Sequence, residues 1–511
     1  MRQLDFIQSS SLPRLAWCAV IGRSDHKVVI RHGPWIEVGE SSFVEGAWSG
    51  PYCEMDFAHA STFTGSGGIL TSDGVLFATS TSSLEPLYVL RDKNGIHCSN
   101  SLRLVLSSGA DDIDDDYFYY DIDTTSMAFG LTRSISKIPT RGRNWVTIHR
   151  YCNLLISSDL SLKVQAKERP QPFVSYANYR TFLDEQVSLT IQNSADARRL
   201  IRYAPISTVS SGYDSAACSV IAKGAGCKEF FTFATGGDGT NDSGKLIGNS
   251  LALEVTEYDP TAYCSRNDLP EAEFVATGGG GGSVIFTALE DRLAGKILLT
   301  GYYGGLAWER ADNKGGVNMA SWDCAGADML YFRTRVGFLH LAVPSIGYSE
   351  YASLLRIANS EEMRPYSLHR AEYDRPIPRR ILEEAGVARE LFAQSKKFAA
   401  RSLKYSSPTV VVEPELRPVM AATSYMHFCA WAEPIKLFSS RLDRLIFTLM
   451  HKLYWLNIRF IRSKKVRTVA GHLGLGLPAA PWLPARFSKE RTRHRLLFHW
   501  GMEQIKPRHV V

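Results

Sequence analysis

The chain has 511 residues, enough for two or three domains that each bury a core of their own. Hydrophobic residues make up 45% of it and charged residues 22%, a composition that excludes disorder, a collagen-like fibre and a membrane channel. The net charge of +6 is uneven: residues 434–511 carry sixteen Lys and Arg against three Asp and Glu, whereas residues 1–433 carry 42 against 49. The basic character therefore belongs to the C-terminal part.

The cysteines and the N-terminus indicate the compartment. Nine cysteines are scattered without a Cys-x-x-Cys pair or a Cys/His cluster at zinc spacing, so we expect most to be reduced and buried. No unbroken apolar run follows Met1–Asp5, so we predict no secretory signal and a cytoplasmic location. We also expect no transmembrane segment and no nucleic-acid partner.

The first domain, predicted over residues 1–165, is rich in β-structure. Short apolar runs separated by turns of Gly, Ser and Asp predict strands at Trp17–Ile21, Val28–Ile30, Val75–Ala78 and Leu87–Leu90. A connector at Glu168–Pro172 leads to an amphipathic helix at Tyr179–Ile191, which opens a second domain over residues 175–405.

The second domain alternates strands and helices. We predict strands at Ile206–Val209, Phe230–Phe233 and Lys296–Leu299, and helices at Asp214–Ala222 and Ser243–Glu254. Repeated βα units imply a parallel sheet with helices on both faces. The glycine run Gly278–Gly282 is predicted to be a flexible loop, and residues 340–405 to be helical.

Residues 406–511 are predicted to be a basic helical extension. Leucines recur at helical spacing between 441 and 461, basic residues follow up to Arg467, and Gly471–Pro484 ends any helix. Such a face suits an anionic membrane, a nucleic acid or an acidic partner, but charges at Arg441, Arg444 and Lys452 prevent it from spanning a bilayer. The alternative is a stripe packed against the second domain, with its charges solvated.

The segment Ser210-Ser211-Gly212-Tyr213-Asp214-Ser215 joins a predicted strand directly to a predicted helix. Backbone N–H groups and the helix dipole then attract an anion, and the small residues let phosphate oxygens approach. Asp214 would repel phosphate unless a divalent cation lay between them, so we infer Mg²⁺ at Asp214. The alternative is an ordinary helix N-terminus capped by Ser and Asp.

These six residues resemble the SGGxDS loop of the N-type ATP pyrophosphatases, and other segments are similar to their asparagine synthetase branch. The matching segments are Glu85–Tyr88, Ser99–Leu102, Arg133–Pro139, Asn241–Ser243, Tyr373–Arg380 and Gly386–Arg389. The resemblance covers roughly residues 15–405. It implies an α/β protein in which an antiparallel, β-rich, glutaminase-like sandwich domain precedes a doubly wound, parallel-sheet ATP pyrophosphatase domain with extra C-terminal helices.

The resemblance also implies ATP and Mg²⁺ as cofactors. The implied nucleotide-binding residues are Ser210, Ser211, Gly212, Asp214, Ser215, Gly301 and Tyr302, with Asp214 as metal ligand. In relatives that close an amide within one substrate, a lysine stabilises the transition state, and Lys396 or Lys397 is its candidate here. A solvated lysine pair is the alternative. Tyr302 and Tyr303 are candidates for stacking on adenine or lining an acceptor channel, or are core tyrosines.

Two positions depart from the family pattern. Position 2 is Arg where glutamine-hydrolysing relatives have a nucleophilic cysteine, so the first domain is expected to be non-catalytic, as in β-lactam synthetases and lasso-peptide cyclases. Gly305 or Leu306 stands where a metal-binding carboxylate is expected, which would leave Asp214 and the phosphates as ligands, with Glu309 or Asp312 as the further candidate.

The predicted activity is therefore formation of an amide from a carboxylate-bearing small molecule or peptide and an amine or ammonia. ATP is converted to AMP and pyrophosphate, and glutamine is not hydrolysed. A biosynthetic role in making peptides or natural products fits this activity. The alternative, prompted by the missing carboxylate, is a catalytically impaired relative that binds a nucleotide or a partner protein.

Overall fold

The computed structural model describes residues 2–23, 27–117, 119–131, 134–237, 239–310, 323–368, 373–394, 420–432 and 489–510, together with Leu453 and Leu456. The fold is α/β and contains a parallel sheet and two sheets built mainly from antiparallel strands. Lys396, Lys397, Asp312 and most of the predicted helix at 441–461 lie outside the described residues.

The first part of the chain forms two stacked sheets. Their strands are β1 (Gln3–Gln8), β2 (Trp17–Gly22), β3 (Lys27–His32), β4 (Glu37–Val38), β5 (Ser42–Trp48), β6 (Phe63–Thr71), β7 (Gly74–Ala78), β8 (Leu87–Arg91), β9 (Gly95–Ser99), β10 (Lys137–Pro139), β11 (Trp145–His149), β12 (Cys152–Ser157) and β13 (Leu162–Ala166). The spatial orders are β1-β3-β2-β9-β8-β11-β10 and β13-β12-β7-β6-β5-β4, with β1 and β3 the parallel pair. Trp17, Ile21 and Val89 from one sheet pack against Phe43 and Phe77 from the other.

The third sheet is parallel and has five strands, β14 (Ala204–Thr208), β15 (Glu229–Phe233), β16 (Val255–Tyr258), β17 (Lys296–Thr300) and β18 (Leu339–Ala342), in the order β16-β15-β14-β17-β18. Alternate residues of β17 point to opposite faces. Ile297 and Leu299 join one hydrophobic cluster and Leu298 joins another, so the sheet is buried on both sides.

Helices cover both faces of this sheet. The α-helices of the described chain are α1 (Leu102–Ser108), α2 (Tyr120–Asp123), α3 (Tyr176–Ser194), α4 (Tyr213–Gly224), α5 (Lys245–Ser250), α6 (Ala272–Val275), α7 (Glu290–Leu293), α8 (Gly304–Ala307), α9 (Leu330–Val336), α10 (Tyr351–Ala358), α11 (Pro376–Glu384), α12 (Ala422–Ala432) and α13 (Lys489–Ile505). Helices α3, α4 and α11 pack on one face, and α9 packs on the other with the 3-10 helix at Gly282–Leu289.

Buried ion pairs connect the stacked sheets to the parallel-sheet region. Arg333 of α9 donates from Nη1 to Glu45 Oε2 of β5 over 2.7 Å, and both side chains are buried. Arg199, which follows α3, pairs with Glu37 of β4 at 2.5 Å. Thr64 of β6 donates to the His340 carbonyl of β18. These contacts fix the parallel sheet against the second stacked sheet.

The structure confirms most of the predicted elements. All four predicted strands of the first part and all three of the second are present, and the helices predicted at Tyr179–Ile191 and Asp214–Ala222 lie within α3 and α4. Each apolar run was bounded by clear turn residues, which is why its position could be predicted.

The structure corrects three predictions about elements. The helix predicted at Ser243–Glu254 shortens to α5, because Leu251 ends it and Val255 begins β16. The region 340–405 was predicted to be helical, but β18 ends inside it at Ala342, and short 3-10 turns separate its helices. A four-residue apolar run cannot be assigned to strand or helix from periodicity alone.

The glycine run is the third correction, since it is a packed turn and not an open loop. A Cβ on Gly278 would lie 2.0 Å from Thr124 Oγ1, and one on Gly279 would lie 2.5 Å from Asp328 Cβ. Gly278 and Gly281 also have positive φ angles, of 78° and 73°, which glycine adopts without strain.

Within the C-terminal part, which is predicted to be a helical extension, α13 is a helix whose bounds no sequence pattern indicated. It packs on α6 and α12 through Leu496, Leu497 and Trp500. Near its C-terminal end, Lys506 contacts Asp112 at 2.9 Å and Arg508 contacts Glu273 at 3.0 Å. Some basic residues of the tail thus pair with carboxylates of the same chain.

Five of the nine cysteines are buried, Cys18, Cys98, Cys152, Cys218 and Cys227. Burial raises the pKa of the Cys18 thiol to about 12. In the described ranges, no helix combines the length and the apolarity needed to cross a bilayer.

Candidate functional site

The segment from Ser210 to Ser215 lies at the carboxyl end of the central strand β14. Gly212 is extended, with φ −81° and ψ 175°, and α4 begins at the next residue. The hydroxyls of Ser210 and Ser215 are 2.5 Å apart across the loop, and the Gly212 amide donates to Ser210 Oγ at 3.2 Å. The first amides of a twelve-residue helix therefore lie beside two hydroxyls, an arrangement that attracts anions.

A second segment holds this loop in place. Ser211 Oγ donates to Asp242 Oδ1 at 2.7 Å, and the Ser211 amide donates to the Asp242 carbonyl at 3.1 Å. Ser210 and Ser243 also form an isolated β-bridge. The structure thus brings the predicted Asn241–Ser243 motif against the predicted loop, although 31 residues separate Ser211 from Asp242.

Asp214 in the first turn of α4 forms an ion pair with Arg375. The Arg375 guanidinium donates from Nη1 to Asp214 Oδ2 and from Nε to Glu309 Oε2, the latter at 3.0 Å. Its side chain is only 5% exposed, against 21% for Asp214 and 15% for Glu309. Burial alone would lower the pKa of Arg375, but the charges of Asp214 and Glu309 outweigh it and raise that pKa.

Arg375 is a residue whose role at this site the sequence analysis missed. It lies directly before Pro376, the first residue of α11, and its guanidinium is 5.1 Å from the centre of the Tyr373 ring. Arg375 belongs to the motif Tyr373–Arg380, but no pattern in the sequence indicates that its side chain reaches a loop 161 residues away. A pairing over that distance depends on tertiary structure.

Glycines let the segment after β17 approach Asp214 closely. A Cβ on Gly301 would lie 2.5 Å from the Ser215 amide nitrogen, and one on Gly304 would lie 2.2 Å from Asp214 Cγ. Neither position has room for a side chain. At Gly305 an added Cβ would instead meet Arg375 Nη2 at 3.1 Å. The place where the family pattern leads us to expect a carboxylate therefore borders a guanidinium.

Tyr302 and Tyr303 are packed residues of the same segment. Tyr302 Oη lies 3.0 Å from Ser283 Oγ, and its ring meets His340 edge-on at 5.7 Å. Tyr303 has a positive φ of 74°, is 1% exposed and hydrogen-bonds through its hydroxyl to Ser83. Burial raises the pKa of both hydroxyls.

These residues line a cavity of about 370 Å³. Its polar side contains the Ser210–Ser215 loop, Asp242, Asp323 and Arg375, and both tyrosines contribute to it. Its apolar side contains Phe231, Phe233, Ile285 and Phe286, where Phe286 packs edge-on against Phe233 with ring centres 5.6 Å apart. The cavity therefore has a wall suited to a flat apolar group beside a loop suited to an anion.

The described residues fit a nucleotide better than a resident metal ion. The described part of the chain contains no group of three or more His, Cys, Asp or Glu that could hold a metal, and Asp214 and Glu309 both contact Arg375. The loop amides, the two hydroxyls and the aromatic wall are the groups that would contact phosphates and a purine.

No protein-family model matches this chain, and no curated protein matches it. Among solved structures, the chain is similar to a predicted subunit of a tRNA methyltransferase from Methanocaldococcus jannaschii. The identity is 16% and the TM-score 0.18, and the match covers 39% of this chain and 96% of the other. A score this low carries no argument about function, which therefore rests on the residues of the site.

Proposed function

We propose that this chain is an ATP-dependent ligase that adenylates a carboxylate, releases pyrophosphate, and joins the acyl group to an amine or ammonia. The observation that carries the proposal is the Ser210–Ser215 loop, which opens into α4 at the carboxyl edge of a parallel sheet and lines the cavity. In open α/β sheets, ligands bind at that edge. The Ser210–Ser215 loop resembles the pyrophosphate loop of asparagine synthetase-like enzymes, and we therefore propose that the anion it binds is pyrophosphate.

The cavity suits ATP in size and in polarity. Its volume of about 370 Å³ falls within the range of about 300–1,000 Å³ for small-molecule sites. We place the adenine against Phe231, Phe233 and Phe286, and the β- and γ-phosphates at the start of α4. In this placement, Tyr302 and Gly301 lie between the adenine and the phosphates of the ATP.

The proposed reaction has two steps. A carboxylate oxygen of the substrate attacks the α-phosphorus, the bond from that phosphorus to the bridging oxygen breaks, and pyrophosphate leaves. An amine then attacks the acyl carbon, loses its proton, and AMP departs with the acyl oxygen. Lys396 or Lys397 is proposed to stabilise the negative charge of the second step. Magnesium, bound with the nucleotide, would offset phosphate charge beside Asp214.

The proposal is tested by carboxylate-dependent exchange of labelled pyrophosphate into ATP. We would screen pools of amino acids, dicarboxylates and short peptides with the full-length chain, then repeat the positive reaction with Asp214→Asn. The matched control is Asp5→Asn, because Asp5 also pairs with a cation, Lys27 at 3.5 Å, but lies in the exposed first strand.

We expect exchange in the wild type and in Asp5→Asn, and a loss of at least about 100-fold in Asp214→Asn, as for the removal of an essential electrostatic group. Equal exchange in Asp214→Asn and the control would contradict the assigned role of the loop.

A second candidate function is nucleotide binding without turnover. It is favoured by the ion pair between Arg375 and Asp214 and by the glycine at 305. This alternative predicts saturable binding of ATP with no exchange for any carboxylate in the screen, and equal amounts of ATP before and after prolonged incubation. Carboxylate-dependent exchange excludes it.

A further inference from the structure

The cavity contains one guanidinium held between two carboxylates that come from different elements. Asp214 belongs to α4, Glu309 lies just after α8, and Arg375 immediately precedes α11. A guanidinium is planar and carries five N–H donors in a fixed fork. With Nη1 directed at Asp214 and Nε at Glu309, the orientation of the plane is set, and Nη2 lies on the side of Gly305.

Gly305 determines what can lie beside Nη2. It is exposed and lines the same cavity as Arg375. A Cβ at position 305 would stand 3.1 Å from Nη2, closer than ordinary van der Waals contact. Glycine at this position therefore places no side chain against Nη2 where residue 305 borders the cavity.

We propose that Arg375 binds the pyrophosphate group directly through its Nη2 side, and that glycine at position 305 is what gives the phosphate access to it. The inference rests on the proposed function, since it assigns a further binding residue to the same site. Arginine is suited to this role because Nη2 carries two N–H donors, and the contacts to Asp214 and Glu309 use Nη1 and Nε instead.

The charges explain why Asp214 and Glu309 are needed. Two carboxylates hold the guanidinium in one orientation before the anion arrives, so little side-chain entropy is lost on binding. Asp214, Glu309 and Arg375 together carry one negative charge, so the pyrophosphate is expected to enter as its magnesium complex. On this account the absent carboxylate at 305 is not a defect, because a carboxylate there would compete with pyrophosphate for Arg375.

The test is calorimetric titration of the full-length chain with inorganic pyrophosphate in the presence of Mg²⁺. We would compare the wild type with Arg375→Gln, Arg375→Lys and Gly305→Asp. Arg364→Gln is the matched control, because Arg364 is 71% exposed and pairs only peripherally with Glu361 at 3.5 Å. Circular dichroism checks that each variant is folded, and the exposed position of Gly305 keeps the test available if Arg375 variants fail to fold.

We expect Arg375→Gln to weaken pyrophosphate binding about 10- to 100-fold, the range for a lost charged contact to a bound group. Arg375→Lys should recover only part of that affinity, Gly305→Asp should weaken binding, and Arg364→Gln should equal the wild type. Unchanged affinity in Arg375→Gln, or tighter binding in Gly305→Asp, overturns the inference and leaves the proposed function intact. Absence of pyrophosphate binding in the wild type contradicts both.

Discussion

Two arginine–carboxylate clusters of this molecule differ in what surrounds them. Arg333 and Glu45 are 2% and 0% exposed, and Glu45 Oε1 also accepts from Ser66 at 2.7 Å and from Asn100 at 3.3 Å. Arg375 and Asp214 line a cavity, Glu309 pairs with Arg375, and glycines pack against Asp214 and Arg375. A cluster enclosed by protein donors holds two regions together, whereas one that faces a cavity is available to a ligand.

The largest effect is expected for the enclosed cluster. Arg333→Met should lower the free energy of unfolding by about 3–5 kcal/mol, because it leaves Glu45 buried without its cation. Urea denaturation followed by circular dichroism measures this. The double variant Arg333→Met/Glu45→Met should recover a large part of the loss, since neither charge remains. A single variant as stable as the wild type would show that the pair does not hold the two regions together.

The cavity cluster should tolerate the same kind of change better. For Arg375→Gln we expect a loss of about 1–2 kcal/mol in the free energy of unfolding, between the values for exposed and buried pairs. Water in the cavity can solvate Asp214 and Glu309 once the guanidinium is gone. Urea denaturation of Arg375→Gln measures this loss. A loss of unfolding free energy as large as that of Arg333→Met would contradict the distinction between the two clusters.

Lys167 shows what burial does to a cation that lacks a carboxylate. Its Nζ donates to Asn153 Oδ1 at 2.9 Å, and the described residues place no carboxylate within ion-pair distance. Burial lowers the pKa of Lys167 from 10.5 to about 7. Between these two values the unfolded chain binds the proton and the folded chain does not, so stability rises with pH.

The Lys167→Met variant removes this contribution. The difference in unfolding free energy between wild type and variant should change by up to about 1.4 kcal/mol per pH unit from pH 7 upward, in favour of the wild type at high pH. Denaturation at pH 7, 8 and 9 measures it. A difference that stays constant with pH would contradict the lowered pKa.

The smallest effect is expected for Tyr303→Phe, which removes the hydroxyl that contacts Ser83. A loss of about 0.5–1.5 kcal/mol follows from one buried hydrogen bond. Tyr303 also lines the cavity, but its hydroxyl is hydrogen-bonded to Ser83. We therefore expect pyrophosphate affinity to change less in Tyr303→Phe than in Arg375→Gln. Thermal denaturation and the calorimetric titration measure the two quantities, and a larger loss of affinity than of stability would assign Tyr303 a role in binding.

Local patterns in the sequence were sufficient to predict most strands and the loop. The turn residues around Val75–Ala78 and the small residues before α4 act within a few positions, so a sequence reading detects them. The short strands β16 and β18 were not predicted, because a run of four apolar or mixed residues does not show whether its period is that of a strand or of a helix.

The candidate site was predictable only in part. Ser210–Ser215 could be selected because strand, small residues and helix are contiguous. The grouping of Asp214, Glu309 and Arg375 could not be predicted from the sequence, since those residues are brought together by packing of α4, α8 and α11. Glycine at 305 looked like a missing ligand in the sequence, and its relation to Arg375 becomes visible only in three dimensions.

The most direct measurement is identification of the phosphorus products by ³¹P NMR. The full-length chain, Mg²⁺ and a carboxylate found by exchange would be incubated with ATP, and in parallel with its β,γ-imido analogue. Cleavage between the α- and β-phosphates predicts AMP with pyrophosphate from ATP, and AMP with imidodiphosphate from the analogue. ADP with inorganic phosphate from ATP, together with an inert analogue, would contradict the account.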